Sequence, residues 1–177
     1  MNKKLKKSLL LFISLVIVNV CTQSFYKRID LTVDQHFTLS EASKEIISKV
    51  NEPLFITVYL DGEFPSEFKR LQLETRQHLE ELAAENAHIK IKFESPDQQG
   101  DVLIKRGMIP SKLTVQEAGK LSEAIIFPWA EISYQKKSTS VSLLSTTTLS
   151  SQEEQLQNAI ENLEYRFSNA INLITKT

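Results

Sequence analysis

Leu54-Phe55-Ile56-Thr57-Val58-Tyr59-Leu60-Asp61-Gly62 is the stretch on which the fold turns. A β-branched and aromatic run of strand length, bounded by Pro53 on one side and Asp61-Gly62 on the other, reads as a core strand. Beyond it Ser66 can cap a helix in which Phe68, Leu71, Thr75, Leu79 and Leu82 share one face, ending near Asn86. Ile89 to Glu94 then alternates apolar and polar residues, a second strand. Two strands separated by so long a helix favour a parallel crossover, which makes the fold class α/β with a mixed sheet.

Downstream, Gln98 to Arg106 reads as a short helix stopped by Gly107. After Pro110 come candidate strands at Lys112 to Gln116, Leu121 to Phe127 with Trp129 to Tyr134, and Thr139 to Leu144, an antiparallel meander joined at Ala118-Gly119-Lys120 and Gln135-Lys136-Lys137. Between Ser138 and Ser151 ten of fourteen residues are Ser or Thr; with no proline among them, a solvated edge and connector fits better than a glycosylated stalk. Ser150 or Ser151, with Glu153 and Glu154 at capping-box spacing, opens a long carboxy-terminal helix. Its seam of Leu156, Ile160, Leu163, Phe167, Ala170 and Ile174 is too short for a stable coiled coil and is expected to pack on the sheet. Upstream, Thr38 as N-cap and Glu41 three residues on begin a short amphipathic helix that ends at about Val50.

Lys3, Lys4, Lys6 and Lys7 precede an uncharged stretch of 19 residues, Ser8 to Tyr26. As a helix it reaches about 28 Å, enough for one bilayer crossing, with Phe25 and Tyr26 at the interface. Val18, Asn19 and Val20 make a poor cleavage site, and Val20 is too large for a lipobox ahead of Cys21. The positive-inside rule keeps the lysines cytoplasmic and sends the rest outward, so a single-pass protein of a bacterial inner membrane with a periplasmic body is expected. The expected organisation is 1-26 as cytoplasmic lysines and anchor, 27-52 as connector and short helix, and 53-177 as the extracytoplasmic α/β domain. Without the first 26 residues, which hold four lysines and no acid, 17 basic face 22 acidic residues, a mildly acidic body of about -5.

Composition excludes several kinds of chemistry. One cysteine in 177 residues leaves no disulfide within the chain, CxxC pair or Cys-built metal site. A net charge of -1 without a basic, aromatic stripe argues against nucleic acid as a partner. Four glycines, Gly62, Gly100, Gly107 and Gly119, cannot write a phosphate-binding loop, so no nucleotide cofactor is expected. No G-x-S-x-G elbow accompanies the serines, and His36, His78 and His88 are scattered, which fits packed side chains better than ligands. Neither a catalytic nor a metal-binding residue is therefore assigned. The best-motivated pocket rim is the carboxyl end of the first strand, where open α/β sheets bind ligands: Tyr59, Asp61 and Glu63. Arg70, Glu74 and Arg76 form a polar helix face that could contact a partner but equally suits a solvated surface of i,i+4 pairs. Trp129, the sole tryptophan, reads as core or edge cover before a ligand platform.

Several strings together carry a resemblance: Arg28-Ile29-Asp30-Leu31-Thr32 and Phe37-Thr38-Leu39-Ser40 with Lys44, just beyond the apolar segment; Ile56 to Gly62; Phe68-Lys69-Arg70-Leu71 with Glu74-Thr75-Arg76; Ile126-Phe127-Pro128; and Leu163-Glu164-Tyr165 with Ala170-Ile171. In order and spacing they resemble the GldG family of auxiliary proteins of gliding-motility ABC transporters. The resemblance implies a membrane-anchored, non-enzymatic subunit, set in the lipid bilayer beside a permease and a separate ATPase. Members continue past Ile174 into a further α/β region and a second span, so an amino-terminal portion or a shortened member is expected. The first domain is also similar to one in intraflagellar transport proteins. Its element order is similar to the thioredoxin-like and Rossmann-like folds, with Gly107-Met108-Ile109-Pro110 in the place of a proline loop but no redox cysteines. An alternative of another class is a solute-binding module holding a small ligand near Tyr59, Asp61 and Glu63.

Overall fold

In the computed structural model, the described residues are Lys7, 12–14, and from Leu39 to Lys176 all but Glu63, 97–98, 118–119 and 145–150; for Ser66, Glu67, 113–117 and 120–124 the description is of backbone alone. The chain divides into two units at His36. In the first, Lys7 and residues 12–14 are helical. The expected membrane span otherwise lies outside the described residues, among which no helix is long and apolar enough to cross a membrane.

The second unit runs α1 (Glu41–Ser48), β1 (Leu54–Val58), α2 (Ser66–Glu85), β2 (Ile89–Phe93), α3 (Gly100–Lys105), β3 (Ser111–Glu117), β4 (Lys120–Ile126), β5 (Trp129–Tyr134), β6 (Lys137–Ser142), α4 (Gln152–Glu161) and α5 (Leu163–Thr175). The main sheet is mixed, in the order β2-β1-β5-β6. β1 and β2 are parallel, with Leu54 beside Ile89 and Ile56 beside Ile91, as the strand, helix, strand spacing requires. β5 runs antiparallel to β1, and β6 to β5 across a two-residue turn in which Gln135 takes a positive φ of 54°.

Pleating separates the two faces of this sheet. Leu54, Ile56, Val58, Ala130, Ile132 and Val141 are buried, and with them Leu71, Leu79 and Leu82 of α2, Phe167 and Ile171 of α5 and Ile47 of α1 form one core. Phe55, in the interior strand β1, points the other way and stays 54% exposed, as do Lys90 and Lys92 beside it. One helical layer thus covers one face.

Four sequence expectations need correction. The first helix is capped not by Thr38 but by Ser40, whose hydroxyl accepts from the Ser43 N–H. Ser66 is the first residue of α2 rather than its cap, Pro65 taking that position, where a fixed φ suits a helix entry. The expected meander splits: β3 and β4 pair only with each other, because Phe127 and Pro128 carry the chain away before β5 joins β1. Pro110 accordingly leads into this separate hairpin, and the proline that leads back into the main sheet, at β5, is Pro128. The single carboxy-terminal helix is two, broken at Asn162, whose side-chain amide donates to the Asn158 carbonyl at 2.7 Å and closes α4. The break lets α4 lie on α2 while α5 turns onto β5, β6 and α1. The expected capping box at Ser151 and Glu154 is present.

Phe167 is fully buried in this core. Phe167→Ala is expected to cost about 3–5 kcal/mol in urea unfolding, whereas Phe55→Ala on the open face should stay within about 0.5 kcal/mol of wild type.

Candidate functional site

Two polar clusters stand out. The first is at the carboxyl end of β1, where the sequence placed a pocket rim. The Tyr59 N–H donates to the Trp129 carbonyl at 2.9 Å, which draws the two aromatic residues together. Tyr59, Leu103, Met108 and Phe127 are buried in a second, smaller core against which Trp129 packs. The Tyr59 hydroxyl donates to Glu131 Oε2 at 3.2 Å, and the same oxygen accepts from Arg106 Nη1 at 2.8 Å. Trp129 Nε1 donates to the Ile109 carbonyl at 2.8 Å. Burial, then the charge and hydrogen bond of Glu131, push the Tyr59 phenol up to about 12, against an opposing pull from Arg106. This end of the sheet is plugged by side chains that satisfy one another.

The remaining predicted site residues do not converge there. Asp61 Oδ1 accepts weakly from Gln72 at 3.5 Å, and Glu63 lies outside the described residues. Arg70 borders a cleft of about 410 Å³ shared with Ser151, Glu153 and Gln157 of the α4 region. The Arg76 guanidinium lies over the Phe93 ring at 3.8 Å, a cation–π contact that ties α2 to β2. Glu74 is half-buried on the same helix. The polar face of α2 is therefore divided among separate tasks.

The second cluster was not singled out from the sequence. Glu164 Oε1 accepts from the Ser40 N–H at 2.9 Å and from Ser43 Oγ at 2.5 Å, and Ser168 Oγ donates to Ser43 Oγ at 2.8 Å. Ser43 and Ser168 are buried. Glu164 sits in the first turn of α5 and binds the capping residue of α1, so one carboxylate faces the positive ends of two helices. Burial works to raise its pKa, but the hydrogen bonds from Ser40 and Ser43 prevail and hold it below the usual value. A groove of about 490 Å³ runs above it between α1 and α5, edged by Ile46, Tyr165, Asn169 and Asn172. Beneath it the His78 ring stands 6.0 Å from that of Phe167, with its Nε2 buried and without a hydrogen-bond partner, as is Thr75 Oγ1 one turn earlier. Burial pushes the imidazole down to about 4.

A family model described as a domain of unknown function, DUF7088, matches residues 33–133, more than half of the chain. The chain belongs to the DUF7088 family. No curated protein and no solved structure matches it. The DUF7088 match takes in Tyr59, Arg106, Trp129 and Glu131 entire, whereas in the second cluster it includes Ser40, Ser43 and His78 but stops short of Glu164 and Ser168. The stretch matched to DUF7088 thus ends before the helix that binds its own α1.

Two of the missed residues left a trace. Glu131 is the one charged residue in the alternation of Trp129 to Tyr134, in phase with Ser133, and Glu164 lies in a string that carries the family resemblance. Arg106 left none, being positioned by the Gly107 turn at φ 85°.

Two pH-dependent outcomes follow from these clusters. Unfolded His78 titrates at its ordinary 6.5 and folded His78 at about 4, so between those values only the unfolded chain takes up the proton. Stability should be complete above pH 6.5 and fall on acidification to pH 4 by on the order of 3 kcal/mol. Glu164, its pKa lowered from 4.5, loses its own contribution at the acid end of this range and below it. His78→Leu should flatten the urea midpoint between pH 6.5 and 4.5 while leaving the loss that Glu164 contributes at lower pH. For the first cluster, Glu131→Gln should bring the Tyr59 titration down from about 12, read by phenolate absorbance with Tyr59→Phe identifying the signal.

Proposed function

We propose that this chain is a membrane-anchored auxiliary subunit, itself neither ATPase nor other enzyme, of an ABC-type transport system associated with gliding motility, and that it acts by protein interaction. The observation that carries the reading is the ordered set of GldG-like strings running from just beyond a lysine-flanked apolar segment to the last helix. Residues 28–38 lie outside the described residues; the other strings fall on framework positions, Ile56 to Gly62 on β1 and its turn, Phe68 to Arg76 on α2, Ile126 to Pro128 at the link into β5, and Leu163 to Ile171 on α5. A match to loops alone would have carried less weight, since framework strings report on a shared architecture.

On this reading the span holds the body outside the cytoplasm at an inner membrane, next to a permease and a separate ATPase. The finer fold reading belongs with it. A parallel β1-α2-β2 unit, followed by an antiparallel β5-β6 hairpin and a final helix, has the strand order of a thioredoxin-like sheet, here without redox cysteines. Fold analogy supplies no activity of its own.

The solute-binding alternative finds less support. Tyr59 is buried, its hydroxyl is committed to Glu131, and the second core fills the crevice a ligand would need. Affinity capture of the full chain from native membranes should recover a permease and an ATPase in stoichiometric amounts. Recovery of the chain alone, under crosslinking that preserves other membrane complexes, would remove the docking role.

A further inference from the structure

The β3–β4 hairpin is unlike the rest of the fold. Among the described residues the backbones of its two strands lie close to each other and to no other element, although Ile126 at its root is buried in the main core and Ser111 and Lys112 border a small pocket beside the start of α4. A two-stranded hairpin in water is marginal at best, and three or more strands are needed for independent stability. Both strands carry seven residues, and among the described residues both leave an edge unpaired. An open edge is a template for a further strand.

The described sheets have four edges, and charge and hydrogen bonding set them apart. Antiparallel self-pairing of β2 about Ile91 would place Lys90 opposite Lys92 of the other copy, like charges across one sheet. On β6 the Ser142 carbonyl is already taken by Arg166 Nη1 at 2.6 Å. Self-pairing of β4 over its full length would centre on Glu123 and set that residue against itself. β3 is free of these obstacles.

In the β3–β4 register Glu117 stands opposite Lys120 across a two-residue connection, so the ladder bonds to β4 fall at 111, 113, 115 and 117. The outward backbone groups are then those of Lys112, Thr114 and Gln116. A two-fold axis at Thr114 pairs Thr114 with Thr114, Lys112 with Gln116 and Leu113 with Val115 of the other copy. No like charges meet, and two apolar cross-strand pairs form.

We propose that β3 is a self-association edge: it pairs antiparallel with β3 of a second copy of this chain about a two-fold axis at Thr114, giving a four-stranded sheet β4-β3-β3-β4 across the dimer. The inference is independent of the transporter reading, since it uses only the isolation of the hairpin and the chemistry of its edges.

The chain's single thiol, Cys21, makes the test clean. In a Cys21→Ser background of the full chain in mild detergent, Thr114→Cys should cross-link to a covalent dimer with a short bis-maleimide. The paired Cα atoms of such a hydrogen-bonded site lie about 5.5 Å apart. Glu123→Cys, on the opposite edge, should not cross-link. Thr114→Pro removes an outward N–H without touching the β3–β4 ladder and should weaken dimerisation, read by sedimentation, by about tenfold or more. Cross-linking at position 123 in preference to 114 would overturn the proposal, as would a wild-type chain that sediments as a monomer at every concentration. Cross-linking of position 114 in membranes to a different protein alone would assign the edge to that protein and overturn the second copy as its occupant.

Discussion

The carboxylate of Glu164 is the joint on which the helical layer depends. α1 has eight residues, too few to hold a helix by its own hydrogen bonds. It persists because each end is tied to another element. At its amino end the Ser40 N–H and the Ser43 hydroxyl converge on Glu164, and at its carboxyl end the Asn86 side-chain amide donates to the Ile47 and Val50 carbonyls at 2.8 and 2.9 Å. Orphan groups at both termini are therefore satisfied by side chains from α5 and from the end of α2. With α1 fixed, Ile47 can enter the core beside the residues that cover β1.

That arrangement matters because, among the described residues, the main sheet is covered by helices on one face alone. Four helices, α1, α2, α4 and α5, share the core on that face, and the places where they meet contain backbone ends and serine hydroxyls that apolar packing cannot satisfy. The Ser40, Ser43, Ser168 and Glu164 network fills one such place. Behind it on α2, His78 Nε2 and Thr75 Oγ1 are buried without a hydrogen-bond partner, and burial drives the imidazole toward its neutral form. With the histidine neutral and the glutamate ionised at neutral pH, acid is the condition that loosens the junction.

Much of the framework was legible in the sequence because it rests on local signals. The β1 run between Pro53 and Gly62, the α2 face from Phe68 to Leu82 and the alternation of Ile89 to Phe93 each declare their period within a few residues, and the parallel crossover follows from the helix length between them. What stayed hidden depends on partners distant in the chain. Nothing local says that β4 leaves the sheet while β5 joins β1, since both are apolar strands of ordinary length. Nothing local marks Asn162 as a break, because the apolar seam continues through it at helical spacing. Glu164 reads as one more surface acid until Ser40, 124 residues away, is brought to it. The same holds at the rim: Tyr59 stands at the strand end that the sequence marks, but its neighbours Arg106 and Glu131 come from a turn and a later strand.

The plugging of that rim bears on the kind of function the fold can serve. In open α/β sheets the crevice beyond the strand ends is where ligands enter. Here Met108 and Phe127 occupy it, Trp129 closes over the Ile109 carbonyl, and the polar atoms of Tyr59, Arg106 and Glu131 are spent on one another. Opening the crevice would expose four buried side chains and break a charge-assisted hydrogen bond, a cost that a small solute would have to repay through a few new contacts. The surfaces that need no such rearrangement are the open sheet face around Phe55, the groove between α1 and α5 and the free edge of β3. None of the three requires a buried side chain to be displaced, so a molecule that met them would bear none of the cost of opening the crevice.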